Sequence, residues 1–190
     1  MPERSRQARP RGHGLPGGTE QPNQHEAVAA HGLPFDLLVR TREMPAATRL
    51  AASMPECRFV LDHLAKPPLS EPLDSEGMAA WETAIRALAM LPNVSAKICG
   101  LVTEADWNTW TTDVLRPVVD VALHAFGPNR LMFGSDWPVC LLAASYVAVS
   151  DTVRTLLAEL SPSELDAVLG ATAIEVYELD IERHARTNQT

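Results

Sequence analysis

The chain has 190 residues, 46% of them apolar, which is enough for one domain with a hydrophobic core, and its formal charge of −8 argues against a surface built to neutralise phosphates. Three cysteines, Cys57, Cys99 and Cys140, form no C-x-x-C pair, so neither a zinc knuckle nor a disulfide framework is expected and a reducing cytoplasm is the expected location. The longest apolar run, over residues 138–149, is broken by Ser145 and falls short of the roughly 20 residues a bilayer demands, and no apolar stretch follows the basic N-terminus as a secretion signal requires.

Residues 1–25 are rich in Arg, Pro, Gly and Gln and have no apolar periodicity. They are expected to be a disordered leader or sequence foreign to the domain. Arg4, Arg6, Arg9 and Arg11 against Glu3 read as a solvated tail rather than a nucleic-acid arm. The domain is expected over 26–180, with 181–190 a C-terminal tail.

From residue 26 the chain alternates short apolar runs with longer helical patterns, which is the signature of βαβ units and a parallel sheet. The predicted strands are Phe35 to Val39, Arg58 to His63, Val94 to Cys99 and Arg130 to Ser135. Between the second and third, Trp81, Ile85 and Leu88 share one face of a helix. Between the third and fourth, Trp107, Trp110, Val114, Val118 and Val121 share another, which Pro117 is expected to break in two. Gly127-Pro128 supplies a stop directly before the fourth strand. The last helix starts at Ser161-Pro162-Ser163-Glu164, a capping hydroxyl, a proline at the first helical position and a carboxylate three residues after the cap. Leu165, Val168, Leu169, Thr172 and Val176 form its inward face. Four consecutive βα units result.

In a parallel α/β barrel the reactive groups come from the C-terminal ends of the strands. His63 ends the second predicted strand and could ligate a divalent metal or hydrogen-bond a substrate carbonyl; its alternative is a histidine satisfied by a backbone carbonyl in a turn. Asp136 follows the fourth strand within Phe133-Gly134-Ser135-Asp136-Trp137-Pro138, where a carboxylate could act as general base or metal ligand, or simply hold an Asx turn. Lys66 and Lys97 could hold a carboxylate or polarise a carbonyl. Lys97 interrupts an apolar strand, and its alternative is a stem along the sheet with its head in water. Trp137 could line a sugar pocket or pack in the core. His31, His124, Trp81, Trp107 and Trp110 read as surface or packing residues.

Val60-Leu61-Asp62-His63-Leu64-Ala65-Lys66-Pro67, Lys97-Ile98-Cys99-Gly100-Leu101 and the run from Phe126 through Pro138 together resemble the amidohydrolase-related family of metal-dependent TIM-barrel hydrolases, and within it the L-fuconolactonase and L-rhamnonolactonase group. The resemblance covers roughly residues 26–180 and extends to Leu33-Pro34-Phe35-Asp36-Leu37-Leu38. It implies an α/β fold in which the four strands form the C-terminal half of a TIM (β/α)₈ barrel, which in full takes about 250 residues. It also implies water attack on a sugar-lactone carbonyl, with Asp136 as base or proton shuttle and His63 as electrophilic partner or metal ligand. The cofactor it implies is one divalent metal, zinc or manganese, held by His63 and Asp136, or none. The His-x-His pair that opens the family's barrel does not occur; Gly12-His13-Gly14 is the nearest approach. The expected partner is a small-molecule lactone, with neither nucleic acid nor membrane. A half-barrel would expose strand edges and an apolar helix-facing surface, so homo-oligomerisation is expected. The alternatives are a non-catalytic remnant and a decarboxylase of the same superfamily.

Overall fold

Short apolar runs bounded by polar or glycine residues become strands because β-branched and aromatic side chains suit a pleated, buried surface. In a computed structural model, which describes Val28 and residues 31–180, these are β1 (Phe35–Leu37), β2 (Phe59–Leu61), β3 (Val94–Ile98) and β4 (Leu131–Phe133). They are shorter than expected: the polar residues at the ends of β2 and β4 leave the sheet, and Leu38, Val39 and Cys99 lie beyond the paired residues of β1 and β3. All three pairings are parallel in the order β1-β2-β3-β4, with Phe35 opposite Phe59, Phe59 opposite Val94, and Ala96 opposite Leu131. Sequential order with parallel pairing is what consecutive βα units produce, because each parallel step needs a crossover. The expected leader, its Gly12-His13-Gly14 and the tail over 181–190 lie outside the described residues.

The crossovers contain α1 (Met44–Ser53), α2 (Glu76–Ala89), α3 (Leu101–Glu104) and α4 (Thr112–Phe126). After β4 come α5 (Tyr146–Leu156), α6 (Pro162–Asp166) and α7 (Thr172–Tyr177), the last two joined by a π turn at Ala167–Ala171. Ser161 and Glu164 form the expected capping box with Pro162 at the first helical position. Trp81, Ile85 and Leu88 lie buried on one face of α2 as predicted, and a turn at Pro128–Arg130 leads from α4 into β4.

Two details differ from expectation. Pro117 does not break α4: it forfeits one N–H bond in the second turn, while Leu115, Val118, Val119 and Ala122 bury the same helix on both sides of it. Trp107 and Trp110 precede α4 instead of extending its face. An Asx turn stops the helical path there, with Asp106 Oδ1 accepting from the Asn108 and Thr109 amides at 2.9 and 3.1 Å.

Alternation along the strands sorts side chains to two faces. Phe59, Leu61, Val94, Ala96, Ile98 and Leu131 join Met44, Trp81, Ile85, Val118 and Ala122 in one buried cluster beneath the helices. The apolar helix-facing surface expected to be exposed is therefore covered. Asp36, Val60, Lys97 and Met132 alternate with that set, and Val60 and Met132 are also buried. The π turn packs on β4, and Tyr177 of α7 reaches across to Asp36 of β1, donating its hydroxyl proton to Oδ1 at 2.7 Å. The C-terminal helical segment thus bridges the two outer strands on the face away from the helix layer.

Candidate active site

Both strand ends singled out in the sequence come together. Directly after β2 the chain turns at Asp62–Ala65, and His63, Leu64, Ala65 and Lys66 have φ of 54°, 47°, 57° and 55°. Left-handed geometry costs an L-residue roughly 1–2 kcal/mol, so four in a row persist only where the surroundings over-determine them. Leu64 and Ala65 are fully buried, Trp81 Nε1 donates to the Leu64 carbonyl at 2.7 Å, and the Lys66 amide donates to the His63 carbonyl at 2.8 Å. Core burial and an indole hydrogen bond therefore hold the turn that aims His63.

Asp136, three residues beyond β4, is also left-handed at φ 57°, and its carbonyl accepts from the Cys140 amide at 2.8 Å. Its Oδ1 lies 4.0 Å from His63 Nε2, and both side chains are largely buried. That separation is too long for a direct hydrogen bond, whose N···O distance is about 2.9 Å. Gly100, at φ +64°, makes the approach possible: a Cβ there would stand 2.5 Å from His63 Nδ1 and 3.2 Å from Asp136 Oδ2. On the other side of the ring, Cys99 Sγ lies 3.0 Å from His63 Nδ1. Burial raises the Cys99 thiol to about 12, so the sulfur keeps its proton at neutral pH.

The two lysines are already paired. Lys97 Nζ lies 2.8 Å from Asp36 Oδ2 and 2.8 Å from Asp62 Oδ1, beneath the Tyr177 ring at 5.3 Å. Burial opposes its charge, but the bonds to Asp36 and Asp62 prevail and hold the ammonium protonated well above the ordinary lysine range. Lys66 Nζ lies 2.6 Å from Glu104 Oε1, whose other oxygen takes Arg40 at 3.5 Å. Trp137 is 65% exposed, beside the pair in sequence but outside the core. A broad groove runs between α1 and α2 and meets only Lys66 of the predicted set.

Sequence reasoning missed Asp36, Cys99, Glu104 and Tyr177. Asp36 gave the same signal as Lys97, a charge at an alternating position of an apolar strand. Tyr177 gave none, since 141 residues separate it from Asp36.

A divalent metal would find two donors here, His63 and Asp136. A catalytic zinc takes three protein ligands, and no group of three His, Cys, Asp or Glu side chains among the described residues is disposed to hold an ion. The described residues therefore do not make a complete metal site. What the pair can do directly is proton transfer, with a carboxylate able to accept and an imidazole able to donate or accept. No helix among the described residues is long and apolar enough to cross a membrane.

A family model described as amidohydrolase matches residues 11–179. An L-fucono-1,5-lactonase of Burkholderia multivorans (strain ATCC 17616 / 249) is 45% identical over 165 residues, covering 84% of this chain and 56% of that protein. An L-rhamnono-gamma-lactonase of Scheffersomyces stipitis is 26% identical over 130 residues, covering 60% of this chain and 39% of its own. A crystal structure of an amidohydrolase from Burkholderia multivorans with bound zinc superposes with a TM-score of 0.77 at 43% identity, over 80% of this chain and 55% of that one. The chain spans about half the length of the relatives it matches. The four parallel βα units are those expected for the C-terminal half of an amidohydrolase TIM barrel.

Proposed function

The chain belongs to the amidohydrolase family, and from that premise we propose that it acts in the hydrolysis of a sugar lactone. The convergence of His63 and Asp136 carries the reading: Nε2 and Oδ1 stand 4.0 Å apart at the ends of two strands. Asp136 takes a proton from the water as its oxygen attacks the lactone carbonyl, and returns that proton to the ring oxygen as the ring C–O bond breaks, leaving the open-chain hydroxy acid. His63 donates from Nε2 to the carbonyl oxygen as negative charge develops there, and burial strengthens that hydrogen bond. The lactonases among the relatives support a cyclic sugar ester as substrate, L-fuconolactone first and L-rhamnonolactone second.

Lys97 contributes by holding the Asp36 and Asp62 carboxylates together, and Lys66 by holding Glu104. Trp137, exposed on the loop after β4, offers a flat apolar face against which a sugar ring stacks. A third metal donor would have to come from outside the described residues, so the proton-transfer steps are assigned to His63 and Asp136 alone. One observation favours a second reading, a non-catalytic role: the described residues bring two reactive groups together with no third His, Cys, Asp or Glu disposed to complete a metal site.

The deciding assay is hydrolysis of the two lactones by the purified chain, with and without added zinc or manganese. Turnover that falls about 10²- to 10⁴-fold in Asp136→Asn, the range expected for loss of a general base, supports the hydrolase. A folded chain with no turnover under either condition supports the second reading.

A further inference from the structure

The ring of His63 is gripped from both sides. Asp136 Oδ1 faces Nε2 at 4.0 Å, and Cys99 Sγ faces Nδ1 at 3.0 Å. A neutral imidazole carries one proton, on one nitrogen or the other. The carboxylate accepts only, so the electrostatically favoured place for that proton is Nε2, which leaves Nδ1 as an acceptor. Cys99 meets the acceptor with a donor, the S–H of a thiol whose sulfur lies 3.0 Å from Nδ1. The backbone leaves room for this contact. Gly134, at the end of β4, has no Cβ, and one placed there would stand 3.0 Å from Cys99 Cβ. Gly100 leaves the adjacent space for the ring, because a Cβ there would overlap Nδ1. Cys99 thus has one face against β4 and its sulfur against His63.

We propose that Cys99 is a positioning residue: its S–H donates to His63 Nδ1, fixing the ring orientation and the tautomer that presents an Nε2 proton to the site. The role rests on the hydrolase reading for its consequence in turnover, but not for its geometry. Cys99 touches no substrate in this arrangement. Without its donor, only the Asp136 carboxylate, 4.0 Å from Nε2, favours the Nε2–H tautomer, and the fraction of rings able to donate from Nε2 falls. A serine hydroxyl is a donor of similar reach and restores the selection.

The test uses the chain labelled with ¹⁵N at histidine, with the His63 resonances identified by their loss in His63→Gln. In the parent chain Nε2 is expected to be protonated and Nδ1 to be of the unprotonated type. In Cys99→Ala the two nitrogens move towards averaged shifts and kcat falls roughly tenfold with KM little changed, the loss expected for one hydrogen bond. Cys99→Ser returns both readouts towards the parent. An Nδ1–H tautomer in the parent chain overturns the proposal, as does an unchanged His63 signature in a folded Cys99→Ala chain. If the parent chain turns over no lactone, the hydrolase reading fails separately and the ¹⁵N signature still decides the position of the proton.

Discussion

Trp81→Phe is the most informative change away from the reactive groups. The indole N–H is the donor to the Leu64 carbonyl at 2.7 Å, within a segment whose Leu64 side chain is fully buried. Phenylalanine removes the donor and leaves that carbonyl unpaired, at about 1–3 kcal/mol. The smaller ring also leaves space next to Ile85 and Leu88, adding about 1 kcal/mol as lost transfer energy and cavity. The expected loss is therefore roughly 2–4 kcal/mol, a large share of the stability of a domain of this size. Because the same bond restrains four left-handed residues, the damage reaches His63: the turn relaxes and the 4.0 Å approach to Asp136 widens. Urea unfolding followed by circular dichroism measures the first effect, and lactone turnover below the unfolding transition measures the second. A loss under about 0.5 kcal/mol, or parent-level turnover in a destabilised chain, would refute the view that the indole holds this turn.

Tyr177 gives a prediction in pH. Burial raises its hydroxyl to about 12, with Lys97 opposing and Asp36 reinforcing the shift. A folded-state value above the unfolded one near 10 means stability intact below about pH 10 and lost as pH rises towards 12. Melting temperature followed from pH 9 to 12 is expected to fall less steeply in Tyr177→Phe than in the parent chain; identical slopes would contradict the assignment. Lys97→Met leaves Asp36 and Asp62 facing one another without their shared cation. Since the cluster is only partly buried, the expected cost is about 1–2 kcal/mol, between the values for exposed and for fully buried pairs. Adding Asp36→Asn to Lys97→Met is expected to recover part of that loss in the same urea titration, and additive losses would show that the two groups are uncoupled.

Patterns of short range are what the sequence by itself determined. Alternation of apolar runs with helical periodicity fixed four βα units and their parallel order, since a 14-residue amphipathic helix such as α2 has few ways to sit between two strands. Ser161 and Glu164 announced a helix start because both halves of the cap lie within four residues. His63 and Asp136 were legible for the same reason: each is a reactive side chain directly after a strand, where this fold gathers its chemistry. Only the tertiary structure decided what those groups meet. The left-handed turn at His63 depends on an indole 17 residues away in sequence from the carbonyl it holds, and the clamp on Lys97 joins Asp36, Asp62 and Tyr177 from three parts of the chain. Lys66 and Lys97 read as available cations because their carboxylate partners lie far away in sequence, Glu104 38 residues from Lys66 and Asp36 61 residues from Lys97, with Asp62 on another strand end. Local propensity carries no information on such pairings, which are selected by burial: a charge or a strained backbone is retained inside a fold only where distant residues compensate it.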